Sequence, residues 1–283
     1  MNALDGNGGA EMGWKLTESH DSPHGEVRWA SFGEGSPVVL LHGTPFSSYV
    51  WRDVAAGLAT RHRVYVWDMP GYGLSEKRAG QDVSLAAQQE VFTGLLEHWG
   101  LRSPAVVAHD FGGAVSLRSA LLDGVRYERF VLVDAVSLRP WGSGFFRLVH
   151  DNADVFEALP PHLHEALVRR YIATAAHHEL PPPTLDALTE PWLGETGQPA
   201  FYRQIAQADE RHTQEVEDRY GDLDCPVLIA WGREDSWLPA ERGTRLGQQI
   251  PGARLELIDD AGHLVQEDAP AHLTGLLADF LAR

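Results

Sequence analysis

Five short stretches of this chain, residues 38–41, 64–67, 105–108, 130–133 and 227–230, are apolar at every position. Each meets Pro, Gly, Asp or His on at least one side. Unbroken hydrophobicity over four residues, rather than alternation, predicts strands buried on both faces, as in a parallel sheet. Residues 26–32 and 254–258 alternate more and are predicted nearer the sheet edges. Longer helical patterns intervene near 48–59, 84–98, 112–123, 239–249 and 269–282. Strands alternating with helices predict an α/β fold with a mostly parallel central sheet flanked by helices.

The strand rhythm stops after residue 133 and resumes at 227. Between them, residues 138–222 read as helices broken at Pro160-Pro161, at Pro181-Pro182-Pro183 and at Gly194 and Gly197. Trp, Phe, Tyr, Leu and Val recur throughout this stretch, which disfavours a disordered linker. The expected organisation is a core of residues 1–137 and 223–283, with 138–222 inserted as a helical lid.

Composition narrows the function classes. The 283 residues suit one catalytic domain of the larger α/β kind. A formal charge of −17 opposes nucleic acid or an anionic membrane as partner, since both need a basic footprint. The expected partner is a small-molecule substrate, and no stretch reaches the ~18 apolar residues of a membrane span. Met1 to Ala10, rich in Gly, Asn and Asp without an apolar run, reads as a disordered leader rather than a signal peptide. A cytoplasmic location follows as the expectation. Cys225, the single cysteine, precedes Pro226 and an apolar run, and reads as a structural thiol.

Asp110 carries the sharpest chemical signal. It follows the predicted strand 105–108 and His109 and opens a predicted helix, with Phe111-Gly112-Gly113-Ala114 behind it. That is the setting of a nucleophile elbow, where small neighbours permit a strained strand-to-helix turn. In the G-x-S-x-G pattern, Asp110 stands at the serine and Gly112 at the second glycine. Ala108 replaces the first. Aspartate is also a common helix N-cap, so this segment alone leaves both readings open. Downstream, Asp235 follows strand 227–230, and His263 follows strand 254–258 in Asp260-Ala261-Gly262-His263. The order nucleophile, acid, base is the one this elbow accompanies. Asp134, ending strand 130–133, is an alternative acid. His42, after strand 38–41, reads as a structural hydrogen-bonding residue. His162, His164, His177 and His178 lack a ligand-like carboxylate or cysteine grouping, so no metal is expected.

With these residues in place, the chain resembles the α/β-hydrolase superfamily over nearly its whole length. Within it, the chain is similar to the epoxide hydrolase and haloalkane dehalogenase branch. The resemblance rests on His42-Gly43-Thr44-Pro45-Phe46-Ser47-Ser48-Tyr49-Val50-Trp51-Arg52, on Asp68-Met69-Pro70-Gly71-Tyr72-Gly73-Leu74-Ser75, and on Asp110 where esterase relatives carry Ser or Cys. It implies an oxyanion hole from the backbone N–H groups of Thr44 and Phe111, and a Thr44–Pro45 loop whose peptide bond can be cis. It also implies an ester of Asp110 to the substrate, hydrolysed by water that His263 deprotonates, with no cofactor.

The two activities of the branch differ in how they stabilise the leaving group. Halide donors of the usual kind are missing: Phe111 follows the nucleophile, and Thr44 stands where many dehalogenases have Asn. Phe201-Tyr202-Arg203 resembles the tyrosine-Arg motif of epoxide hydrolases and lies 33 positions before Asp235. The resemblance therefore implies an epoxide hydrolase-like enzyme for a small to medium apolar substrate, with Tyr202 as proton donor. Trp141, Phe146 and His150 fall where the substrate pocket is expected. His150, Trp141 and Tyr171 are the candidates for a second donor. The rivals are a dehalogenase with unusual donors, such as Trp141 or Trp192, and a ligand-binding homologue without turnover.

Overall fold

The computed structural model describes residues 14–282, so the expected leader at Met1 to Ala10 lies outside the described residues. Eight strands form one sheet: β1 Glu18–Ser22, β2 Gly25–Phe32, β3 Ser36–Leu41, β4 His62–Trp67, β5 Ala105–His109, β6 Arg129–Val133, β7 Val227–Gly232 and β8 Arg254–Ile258. Their order is β1-β2-β4-β3-β5-β6-β7-β8. β1 pairs antiparallel with β2, and β2 with β4. Every other pair is parallel. The expected α/β class and mostly parallel sheet are what the chain forms.

The five apolar stretches lie in β3 to β7, flanked by helices. Val38, Val39, Leu40, Leu41, Val106, Val107, Val131 and Leu228 are all fully buried. β8 is an edge strand, as its alternation predicts. β2 is not, because β1 covers it. β1 reads Glu-Ser-His-Asp-Ser, has no apolar residue, and is largely exposed. Nothing in its hydropathy announces a strand; it forms because β2 offers it a free edge.

The helices are α1 Arg52–Leu58, α2 Leu85–His98, α3 Phe111–Leu122, α4 Gly144–Asp151, α5 Ala153–Glu157, α6 Pro161–Ala173, α7 Pro182–Thr189, α8 Gly194–Ala206, α9 Arg211–Glu217, α10 Glu241–Gln249, α11 Val265–Asp268 and α12 Pro270–Leu281. α4 to α9 occupy the stretch between β6 and β7. α6 and α7 each begin at a proline, where the missing N–H costs nothing. Gly197 and Pro199 fall inside α8 rather than ending it. Among the described residues no helix is long and apolar enough to cross a membrane.

The carboxyl ends of β3, β5, β6, β7 and β8 all point to one side of the sheet, where ligands of open α/β sheets are held. Asp110, Asp134, Asp235 and His263 lie at or just after these ends.

Candidate active site

Asp110 sits directly between β5 and α3 with φ 49° and ψ −116°. For a non-glycine residue this is a strained conformation, costing on the order of 1–3 kcal/mol. The surroundings hold it there: its N–H donates to the Val133 carbonyl, and its own carbonyl accepts from Gly113 and Val136. Two glycines make the turn fit. A Cβ on Gly112 would come within 2.7 Å of the His42 carbonyl oxygen, and one on Gly43 would collide with the Asp110 side chain. Although Asp110 occupies the N-cap position of α3, its carboxylate makes no capping hydrogen bond. The N-cap reading fails on that point.

The carboxylate points instead at two partners. Oδ1 accepts the backbone N–H of Thr44 at 2.7 Å. Oδ2 lies 3.5 Å from Nε2 of His263. The Thr44–Pro45 peptide bond is cis.

His263 Nδ1 donates to Oδ2 of Asp235 at 2.9 Å. The other Asp235 oxygen, Oδ1, accepts the N–H groups of Trp237 and Leu238, both at 2.8 Å. With the Nδ1 position fixed by Asp235, Nε2 is left facing Asp110 without a hydrogen-bond partner. Burial lowers the basicity of His263, but the Asp235 charge and the contact with Asp110 outweigh it. Its pKa is held well above the ordinary imidazole value. The indole of Trp237 stacks on the His263 ring with centroids 5.1 Å apart.

Asp134 is fully buried and does not touch His263 through a hydrogen bond. Its Oδ1 accepts Gly232 N–H at 2.8 Å. Asp235 is therefore the acid that the geometry pairs with His263. His42 keeps a structural place: Nδ1 donates to Gly43 O, and Nε2 accepts Met69 N–H, both at 2.9 Å. His109 donates from Nε2 to the His263 carbonyl at 2.9 Å. Burial and the neighbouring His263 push its pKa down to about 3, so it stays neutral. Cys225 is half-buried, and burial raises its thiol to about 11.

A small cavity of about 30 Å³ lies over Asp110. Thr44, Phe111, Val136, Trp141, Phe146, Tyr171, Trp237 and Leu238 line it. Trp141 and Phe146, two of the three side chains named for the pocket from the sequence, are among these lining residues. His150 is not: it lies at the end of α4, 41 % exposed, with Nδ1 3.0 Å from Asp151. Phe146 and Val149, three residues apart, form the buried face of α4, and His150 falls outside that stripe.

Tyr202 also corrects the expectation. It is fully buried in α8, and its hydroxyl lies 2.8 Å from Nδ1 of His164. His164 Nε2 donates to the Trp192 carbonyl at 2.8 Å, so Nδ1 is the acceptor and Tyr202 donates to it. Tyr202 does not line the cavity. The phenol that does is Tyr171 in α6. Its hydroxyl has no hydrogen-bond partner among the described residues, and burial together with the Asp110 charge holds it protonated.

The cavity-lining indoles of Trp141 and Trp237, and that of Trp192, are all committed elsewhere. Trp141 Nε1 donates to Thr213 Oγ1 at 3.0 Å, Trp192 Nε1 to Pro45 O at 2.6 Å, and Trp237 Nε1 to Thr174 Oγ1 at 3.1 Å. Sequence reasoning missed Trp237, Gln204 and Tyr72. Gln204 Oε1 accepts both Thr44 Oγ1–H at 2.6 Å and Tyr72 O–H at 3.1 Å. Tyr72 stands within the Asp68-to-Ser75 loop, and Gln204 lies one residue past the Tyr202-Arg203 pair. Only their neighbours could have marked them.

Comparison with known proteins gives a consistent frame. The family model described as alpha/beta hydrolase fold matches residues 36–270. An alpha/beta hydrolase fold protein from Burkholderia ambifaria, known from its crystal structure, is 44 % identical with a TM-score of 0.92. The match covers 94 % of this chain and 98 % of that one. Haloalkane dehalogenase 2 of Mycobacterium tuberculosis is 25 % identical, covering 92 % of each chain. The cis-3-alkyl-4-alkyloxetan-2-one decarboxylase of Xanthomonas campestris pv. campestris is 26 % identical over 88 % of this chain and 89 % of its own.

Proposed function

This chain belongs to the α/β-hydrolase fold family, and from that premise we propose that it opens small to medium apolar epoxides with Asp110 as nucleophile. The observation that carries the reading is the orientation of the Asp110 carboxylate. Oδ1 rests on the Thr44 N–H, and Oδ2 is left towards the cavity and His263. A carboxylate attacks an sp³ carbon in line, so a strained ether rather than an acyl group is its natural target.

In the first step Oδ2 bonds to an epoxide carbon, and the ring C–O bond breaks. The ring oxygen takes its proton from Tyr171, which becomes a phenolate. In the second step His263 Nε2 removes a proton from water, and the hydroxide adds to the Asp110 carbonyl carbon. Negative charge then gathers on Oδ1, where Thr44 N–H already points and Phe111 N–H is the second donor. Each such donor contributes about 3 kcal/mol. Collapse breaks the bond between the Asp110 carbonyl carbon and Oδ2, and His263 returns its proton to the leaving diol. The second water proton restores Tyr171 through solvent, and Asp110 retains the water oxygen.

Esterification also removes the Asp110 charge that helps raise the His263 pKa. The covalent step would thereby lower the basicity of His263 and free Nε2 to act as a base when it is needed. Asp235 fixes its tautomer and stabilises the imidazolium.

The dehalogenase reading, to which haloalkane dehalogenase relatives point, lacks its donors: the indole N–H groups of Trp141, Trp192 and Trp237 are all bonded elsewhere. The Xanthomonas relative is named for an oxetanone, a strained oxygen ring too, so β-lactones belong in the test panel. The experiment is intact-mass analysis of His263→Gln incubated with a terminal alkyl epoxide, a 1-haloalkane and an alkyl β-lactone. An adduct of epoxide mass, mapped to the peptide holding Asp110, is the expected result. Adduct from the haloalkane alone would move the assignment to a dehalogenase. No adduct, while the unmodified enzyme consumes substrate in heavy-oxygen water without labelling Asp110, would remove the covalent mechanism.

A further inference from the structure

We propose that Asp134 and Asp235 form a carboxyl–carboxylate pair behind His263, in which Asp134 keeps the proton and acts as a positioning residue for Asp235. The pair is set by the sheet. Asp134 is the first residue after β6, and Asp235 lies in the loop after the neighbouring strand β7. Asp134 N–H donates to Ala230 O at 3.1 Å, and Gly232 N–H donates to Asp134 Oδ1 at 2.8 Å. Asp134 adopts φ 42°, the left-handed region that favours glycine, and these two bonds to β7 fix it there.

A lone-pair account assigns the proton. Asp235 Oδ1 has two backbone donors, and its Oδ2 has His263. Asp134 Oδ1 has Gly232, but no donor reaches Asp134 Oδ2. Asp134 is fully buried and Asp235 is 5 % exposed, and Gly232 links them, its N–H donating to Asp134 Oδ1 at 2.8 Å and its carbonyl accepting Asp235 N–H at 3.3 Å. Two ionised carboxylates in that setting repel each other, and one of their oxygens is desolvated without a donor. A proton on Asp134 Oδ2 relieves both problems, because it turns the orphan oxygen into a donor towards Asp235. Burial and the Asp235 charge hold the Asp134 carboxyl well above the usual carboxylate range.

The charged and titratable groups around Asp134 are Asp235 after β7 and His263 after β8. Asp110 lies beyond His263, and Arg242 on α10 acts on Asp235. His263 favours ionisation of Asp134 but is already paired with Asp235, so Asp235 keeps the single negative charge. The donated O–H fixes the Asp235 carboxylate and draws off part of its charge. Asp134 would thereby limit how far Asp235 raises the pKa of His263. That positioning role rests on His263 as the base proposed above; the shared proton does not.

The test uses the whole protein without substrate, so its failure is separable from failure of the epoxide reading. Infrared spectra at neutral pH should show the C=O stretch of a buried carboxylic acid, absent in Asp134→Asn. The amide of Asp134→Asn keeps an acceptor for Gly232 and a donor for Asp235, but cannot ionise. A raised carboxyl pKa contributes stability that is full below the unfolded value and is lost as pH rises through the folded value. Asp134→Asn should therefore match the parent near pH 4 and melt at least about 3 °C higher at pH 8. For the positioning role, NMR titration of His263 should show its pKa raised in Asp134→Ala, by about half a unit or more, and restored in Asp134→Asn. A carboxylic acid band that persists in Asp134→Asn, or a melting difference constant with pH, would overturn the shared proton. An unmoved His263 titration in Asp134→Ala would overturn the positioning role.

Discussion

The hydroxyl of Tyr202 lies 2.8 Å from Nδ1 of His164 and donates its proton there. A phenol bonded in this way, with both partners buried, fastens α8 to α6 and has no hydrogen left for a substrate oxygen. Tyr171, on α6, has its hydroxyl free and lines the cavity over Asp110. The two tyrosines should separate under the same conservative change. Tyr171→Phe is expected to slow alkylation by an epoxide at least tenfold, about 1.4 kcal/mol, with stability unchanged. Tyr202→Phe should leave alkylation near its parent rate and cost about 1 kcal/mol or more of stability, from the unpaired His164. Single-turnover adduct formation in the His263→Gln background and urea unfolding read the two effects. A large kinetic loss in Tyr202→Phe, with none in Tyr171→Phe, would return the donor role to Tyr202.

Asp110 and Asp235 both raise the pKa of His263, so removing the Asp110 charge should move it down. Asp110→Asn keeps the shape of the site and deletes one negative charge 3.5 Å from Nε2. NMR titration of the His263 ring should show a pKa at least about one unit lower in this variant. An unchanged value would mean that ester formation does not switch His263 to its basic form.

Asp235→Asn should leave adduct formation visible while slowing its hydrolysis by roughly a thousandfold or more. An amide at this position can donate to Nδ1 and so favours the wrong imidazole tautomer. Adduct persisting for many turnover times by intact mass is the expected signature. Hydrolysis at the parent rate would pass the acid role to Asp134.

How much of this was legible beforehand depended on whether a signal was local. The buried strands at 105–108 and 227–230 were legible because each is a four-residue apolar run with no alternative use. That Asp110, Asp235 and His263 come together was legible because each falls after a strand end on one side of the sheet, and chain order survives any detail of packing. β1 was not, because Glu18–Ser22 has no apolar residue and is held only by its neighbour's edge. The Tyr202 expectation failed for a related reason. Which face of α6 or α8 looks at Asp110 depends on how helices joined by proline breaks rotate over the sheet. Motif spacing does not carry that angle, and Tyr171 and Tyr202, 31 residues apart in the chain, both sit on helices of the insert.

His109 should contribute to acid sensitivity. Buried and neutral, with its pKa lowered to about 3 against an unfolded value of 6.5, it binds its proton more readily in the unfolded chain. Its share of stability is thus complete above pH 6.5 and lost as pH falls towards 3. Between pH 7 and pH 4 the loss from this residue is about 3 kcal/mol. His109→Gln should flatten the acid side of the stability curve measured by urea unfolding. An equally steep acid limb in that variant would place the sensitivity elsewhere.

The bonds from Thr44 Oγ1 to Gln204 and from Trp192 Nε1 to Pro45 O tie the loop after β3 to the helices inserted between β6 and β7. That has a consequence for anyone recombining this protein with its relatives. An insert transplanted without counterparts of Gln204 and Trp192 would strand a buried hydroxyl and a buried carbonyl on the loop that holds Asp110. A chimera of this kind can keep the sheet and each of Asp110, Asp235 and His263 and still lose the registration of Asp110. The exchangeable unit is the insert together with those two contacts, not the stretch of chain between two strands.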